Sequence, residues 1–202
     1  MRKLFIPAVL ALLASGTPLH AQEEGGFPMS CVKLDWTVTE DFAATMKGYP
    51  IENMKDGDPA TAWAGDLTVT DEDGKKYYDE GIIYGDGMYG FKISIKEGSV
   101  KYIRIIPGYA KSKDTFKNNS RPIEIIIFDG KCWRNDGGEF MIGNEAATPL
   151  GVAHLHDTPE PQIINLPRAE EATSIWFCIA DVVTGAKFYD NCISELEFYG
   201  DM

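Results

Sequence analysis

Short apolar runs, each closed by Gly, Asp or Pro, recur along this chain and leave it little choice but to pair as strands. Lys101-Tyr102-Ile103-Arg104-Ile105-Ile106 alternates polar with apolar and stops at Pro107-Gly108. Ile123 to Phe128 is dense in β-branched residues and ends at Asp129-Gly130. Phe91 to Ile95, Gln162 to Leu166, Ser174 to Ile179 and Ile193 to Tyr199 repeat the pattern, the last with Glu195 and Glu197 at alternate positions. No stretch sustains a helical period, and Thr39 to Met46 offers a helical turn or two at most. Turn chemistry at Asp73-Gly74, Asp86-Gly87 and Asp136-Gly137-Gly138 separates the runs. The expected fold is all-β, an antiparallel sandwich or jelly roll. Three long loops, 64–90, 109–120 and 133–161, stand out, and the first and third have room for weaker strands. Binding on such a scaffold is expected in its loops.

The N-terminus reads differently. Arg2 and Lys3 precede an apolar stretch from Leu4 to Ala14 that is too short to span a bilayer well, and Leu19-His20-Ala21 ends it. This is the pattern of a secretory signal peptide cut after Ala21, so the expected location is secreted or periplasmic. Residues 22–29 then read as a disordered lead-in and 30–202 as one domain of adequate size for a single core. The net charge is −12, and loss of Arg2 and Lys3 makes it two units more negative. Nucleic acid and anionic lipid are repelled by such a chain, which leaves neutral ligands and cations as partners. Cys31, Cys132, Cys178 and Cys192 form an even set, expected to make disulfides after export, although Cys178 lies inside a strand-like run where a free thiol is common. Four cysteines allow three pairings, and the sequence does not choose.

Asn53-Met54-Lys55-Asp56-Gly57-Asp58-Pro59-Ala60-Thr61-Ala62-Trp63 concentrates two carboxylates and a hydroxyl on a backbone that Gly57 and Pro59 bend into a turn. Hard oxygen donors on a tight loop suit calcium. Trp63 pins the end of the loop into a core. The plain alternative is that Asp56 and Asp58 only cap backbone amides of the turn.

That run resembles the discoidin (coagulation factor 5/8 type C) family, together with the C-terminal Ile193-Ser194-Glu195-Leu196-Glu197-Phe198-Tyr199-Gly200. Gly108-Tyr109-Ala110-Lys111-Ser112 leading to Asn118-Asn119-Ser120-Arg121-Pro122, and the stretch from Asp181 to Glu195, make it similar to the bacterial branch related to the glycan-binding translocation domain of NAD glycohydrolase. The resemblance implies a discoidin-like jelly roll with long loops at one end that bind glycan, and a structural calcium. It matches Asp56, Asp58 and Thr61 to the calcium loop, and Glu195 or Glu197 to the final strand that completes the site.

Sugar recognition needs an aromatic face beside hydrogen-bonding groups. Tyr77, Tyr78, Tyr84, Tyr89 and Trp133 qualify by composition, Trp133 with Arg134, Asn135 and Asp136 directly after it. Asn118, Asn119 and Arg121 form a second polar cluster, either for sugar hydroxyls or as a junction in which Arg121 pairs with a carboxylate. Trp36, Trp63 and Trp176 read as core. His154 and His156 would lie on one side of an extended segment, a transition-metal site only if a third ligand joined them. Gly85 to Gly90 has phosphate-loop glycine spacing but no helix after it. With 31 acidic residues some carboxylate pair always exists, and no Gly-x-Ser-x-Gly elbow is present. The expectation is a non-catalytic binding module for carbohydrate. The alternative is a protein–protein or cell-envelope module using the same loop face, and membrane insertion is not expected.

Overall fold

The computed structural model describes residues 31–78, 89–136, 138–167 and 172–202, with the backbone alone at 19–20, 22–23 and 76–77. Two sheets, antiparallel apart from the parallel β1–β14 pair, face each other across one core. The first holds, in order, β1 (Leu19–His20), β14 (Gly151–His154), β10 (Arg121–Asp129), β16 (Ser174–Val183), β8 (Gly90–Ile95) and β4 (Trp36–Asp41). The second holds β2 (Gln22–Glu23), β15 (Gln162–Asn165), β9 (Ser99–Pro107), β17 (Asp190–Asp201) and β3 (Val32–Leu34), with β5 (Trp63–Asp66) also paired to β17. Two small ribbons complete it: β6 (Thr68–Thr70) with β7 (Lys76–Tyr78), and β11 (Trp133–Arg134), β12 (Phe140–Ile142) and β13 (Glu145–Ala146). The fold is therefore the antiparallel β-sandwich expected.

The period-2 pattern decides what each strand buries. Ile175, Phe177 and Ile179 of β16 meet Ile103 and Ile105 of β9 and Leu196 and Phe198 of β17 in the main core, with Trp36 and Trp63. Trp63 lies edge-on to Phe91 at 4.9 Å, and Trp36 edge-on to Phe198 at 5.3 Å. The alternate residues of β10 and β16 build a second cluster on the outer face, where Ile126, Phe128, Trp176 and Cys178 pack against Cys132, Phe140 and Ala147. The ribbon β11–β13 is thus a flap folded back over the first sheet. Phe140 stacks on Phe128 at 4.2 Å and meets Trp176 at 5.5 Å.

Several expectations are corrected. All four cysteines are free thiols. Cys132, Cys178 and Cys192 serve as small buried hydrophobes, Cys192 beside Ala62 and Ala64, so no cross-link joins the strands. Thr39 to Met46 is not helical: β4 runs through Asp41, and the chain then turns. The helix lies instead in the second long loop, as α1 (Lys113–Asn118), started by Ser112 and Thr115 capping each other. The signal-peptide assignment falls mostly outside the described residues. The lead-in differs in part, because the backbone of Gln22–Glu23 pairs with Gln162 and Ile163 of β15.

Candidate functional site

Antiparallel pairing brings the C-terminal ends of β4, β9, β14 and β16 together with the N-terminal ends of β8, β10 and β17. The connections 42–62, 108–120, 155–161 and 184–189, with the described residues 67–78, therefore share one end of the sandwich. The flap follows the other end of β10.

Along one side of the loop end, the Asp56 turn packs onto β17. Asn53 Nδ2 donates to the Ala62 carbonyl at 2.8 Å, and Ser194 Oγ donates to the Pro59 carbonyl at 3.2 Å. Gly57 adopts φ 77, a left-handed conformation that a side chain would strain. Three oxygens surround the Thr61 hydroxyl, whose Oγ1 lies 2.8 Å from Asp56 Oδ2, 3.0 Å from the Asp58 carbonyl and 3.5 Å from the Asn53 carbonyl. Glu195 of β17 lies within electrostatic reach of Asp56. Its side chain is 2 % exposed, and neither carboxylate oxygen has a hydrogen-bond partner. Burial, then the charges of Asp56 and Glu197, push its carboxyl up to about 7 despite Lys33 and Arg104.

An orphaned buried carboxylate within electrostatic reach of Asp56, whose turn gathers a hydroxyl and two carbonyls, supplies oxygens of the kind a hard cation takes. Three of the expected carboxylate ligands are otherwise engaged, the first being Asp56, whose Oδ1 caps the Asp58 amide at 2.9 Å and whose Oδ2 accepts from the Thr61 hydroxyl at 2.8 Å. Asp58 Oδ1 caps the Ala60 amide at 2.9 Å, so Asp58 offers its carbonyl rather than its carboxylate. Glu197 accepts from Lys33 at 2.6 Å, Arg104 at 3.1 Å and the Tyr199 hydroxyl at 3.0 Å. Burial alone would raise its carboxyl, but those donors carry it below the ordinary value. Among the described residues no three His, Cys, Asp or Glu side chains converge, so a site here depends on the hydroxyl and carbonyls. His154 contacts Glu124 at 3.0 Å, and His156 is held through its backbone by Gln162.

The expected ligand-binding residues scatter. Arg121 is 7 % exposed, forked onto Asp157, bonded to the Phe116 and Asn119 carbonyls and stacked over the Phe116 ring at 4.6 Å. Asn119 is buried and donates to the Thr115 carbonyl at 2.7 Å. Asn118 receives the Lys187 and Phe188 amides on its carbonyl. These bonds fit the junction, the second of the two readings of this block, in which Arg121 pairs with a carboxylate. Tyr89 is core, its phenol pushed well above the ordinary range by burial. Tyr84 lies outside the described residues. Arg134 Nε donates to the Gly138 carbonyl, and the Asn135 side chain closes the same turn with Glu139. Trp133 remains open at 49 % exposure, but on the flap, away from the loop end.

The loop end has its own aromatic rim. Tyr49, Phe188 and Tyr189 are exposed, Tyr189 is stacked on Tyr78 at 5.4 Å, and Tyr49 meets Tyr109 edge-on. The 184–188 turn is fixed to the end of α1: the Ala186 amide donates to the Lys117 carbonyl at 3.0 Å and the Phe188 amide to Asn118 at 2.9 Å. Gly185 permits this, since a Cβ there would lie 2.4 Å from the Asn118 carbonyl. Phe188 and Tyr189 were legible as exposed only through their place in the turn, because Lys187-Phe188-Tyr189-Asp190 otherwise reads as the start of a strand.

No curated protein is close enough in sequence to count as a relative. Among solved structures, a family 32 carbohydrate-binding module of Clostridium perfringens NanJ, in complex with galactose, is 14% identical over 84% of this chain and 98% of that one, with a TM-score of 0.47. A module of a Clostridium perfringens family 31 glycoside hydrolase is 16% identical over 85% and 91%, with a TM-score of 0.46. The two-module chain of Clostridium perfringens ZmpB is 12% identical over 83% of this chain, at a TM-score of 0.47; this chain spans 34% of its length. Residues 32–199 match the NAD glycohydrolase translocation F5/8 type C domain, a stretch running from β3 into β17, and the chain belongs to that family.

Proposed function

We propose that this protein is an exported, non-catalytic carbohydrate-binding module whose loop end takes the sugar. The observation that carries this reading is the aromatic rim of Tyr49, Tyr78, Phe188 and Tyr189, held at one end by backbone hydrogen bonds. Exposed rings stack on the C–H face of a pyranose, and a rigid mounting spares the ordering cost of binding. A glycan microarray followed by titration calorimetry tests it. Binding that Tyr189→Ala weakens at least tenfold is expected; an array without a single saccharide hit rejects it.

Calcium is proposed as the structural cofactor. Asp56, Glu195 and Thr61, with the carbonyls of Asn53 and Asp58, would hold it, fastening the turn to β17. It would neutralise Asp56 against Glu195. Export is proposed from the Arg2 to Ala21 segment. A cut after Ala21 would remove β1 from the edge of β14 and leave Gln22 as the new terminus, which mass spectrometry of the exported protein measures.

One observation favours a second reading. Trp133 and Ile142 stand exposed on the flap at 49 % and 50 %, apart from the rim. Such residues suit an envelope protein partner. Recovery of one defined partner that Trp133→Ala abolishes, with saccharide binding intact, would assign the flap that role.

A further inference from the structure

The protein is strongly acidic overall, yet two connections at its loop end, 108–120 and 184–189, carry four lysines against one acid. Lys111, Lys113, Lys117 and Lys187 are all exposed there, and none is in an ion pair among the described residues. Elsewhere Lys33, Lys55, Lys92, Lys96 and Lys101 are each matched to a carboxylate, while Lys47, Lys75 and Lys131 stand exposed and singly, with no ion pair among the described residues. Lys113 and Lys117 are four residues apart on α1 and so share a face. The bond from the Ala186 amide to the Lys117 carbonyl sets Lys187 beside them. Asp114 lies one position round the helix, in its first turn where it complements the helix dipole, and Asp157 is engaged by Arg121. Like charges left together on a rigid junction cost stability unless something offsets them.

The same turn carries the aromatic rim. Lys187 is followed by Phe188, whose ring lies 5.8 Å from the ammonium, and then by Tyr189 on Tyr78. Flat rings bordered by ammonium groups match a ligand that is both a pyranose and an anion. A neutral sugar would use the rings and leave the lysines idle. A lipid surface would use the lysines, but a chain of net charge −12 is repelled by an anionic bilayer once it lies flat against one. We infer that the loop end is built for an acidic saccharide, whose carboxylate or sulfate groups meet Lys113, Lys117 and Lys187 while a ring stacks against Phe188 or Tyr189. This rests on the glycan reading above and narrows it to a ligand class.

The test uses the full folded chain with calcium present. Trigalacturonate, a sulfated galactotriose and neutral galactotriose are titrated into it at low and high salt, and the two anionic arms tell carboxylate from sulfate. The expected result is at least tenfold tighter binding of one anionic trisaccharide than of the neutral one. Lys113→Ser/Lys117→Ser/Lys187→Ser should remove that preference, and Tyr189→Ala should weaken binding to both. Equal affinity for charged and neutral trisaccharides overturns the inference while leaving the glycan reading standing. A microarray without any saccharide hit overturns both. Binding to phosphatidylserine vesicles that the lysine variant abolishes, without trisaccharide binding, overturns it in favour of a lipid. Retention of the anionic preference by the triple variant, with an unchanged melting temperature, places the site elsewhere and overturns it too.

Discussion

Glu195 is held in a setting that penalises its own charge. Its carboxylate is buried, has no donor and lies within electrostatic reach of Asp56, while two residues on Glu197 receives Lys33, Arg104 and Tyr199. In the calcium-free protein at alkaline pH, Glu195→Gln should raise the melting temperature by about 3 °C, since it removes a buried charge. The same substitution should abolish the increase that calcium gives the native protein. Differential scanning calorimetry in calcium and in chelator measures both signs, and a calcium response that survives in Glu195→Gln rejects the assigned ligand. Arg121 makes the opposite case. Arg121→Ala should cost roughly 2 kcal/mol in urea unfolding, because it strips the Phe116 and Asn119 carbonyls of their donor and Asp157 of its partner.

At the scale of elements, the flap is a small structure with a small core. Phe140 joins it to Phe128 and Trp176, helped by Cys132 and Ala147 and by the bond from Trp176 Nε1 to the Cys132 carbonyl. Phe140→Ala should therefore cost roughly 2 kcal/mol locally and speed proteolytic cleavage between residues 131 and 147, with saccharide titrations unchanged. The strands were readable in the sequence because apolar and β-branched runs closed by turn formers mark β9, β10, β16 and β17, the last two buried along most of their length. Their ends were not: β17 begins at Asp190, where polar Asp190 and Asn191 hide the pairing with β5. The flap was foreseen only as weaker strands within 133–161, because Trp133, Met141 and Ala146 lack the alternation that would set their bounds. The Asp56 turn was legible because hard donors and turn formers coincide there. The rim was not, since Tyr78 and Tyr189 are distant in sequence and meet only through the tertiary fold.

At the scale of the whole molecule, two carboxyls set opposite limits on stability. The Asp157 carboxyl lies below its ordinary value of 3.8 because Arg121 bonds it, so its contribution is present above that pH and is lost as pH falls further. The Glu195 carboxyl lies above its ordinary 4.5, at about 7, so the folded state binds the extra proton and calcium-free stability declines as pH rises between those values. The chelated protein should be most resistant to urea between about pH 4 and 5, and calcium should flatten the decline above that. A urea midpoint that climbs from pH 5 to 7 in chelator contradicts the environment described for Glu195.

Strand β17 bonds to β3, β5 and β9, so it joins segments that lie far earlier in the chain. Nothing synthesised before residue 190 can close the second sheet or seat the Asp56 turn. A polypeptide arranged this way stays unlocked for most of its passage off the ribosome and acquires its final shape late. That delay is useful to any chain that must thread a narrow conduit before it folds.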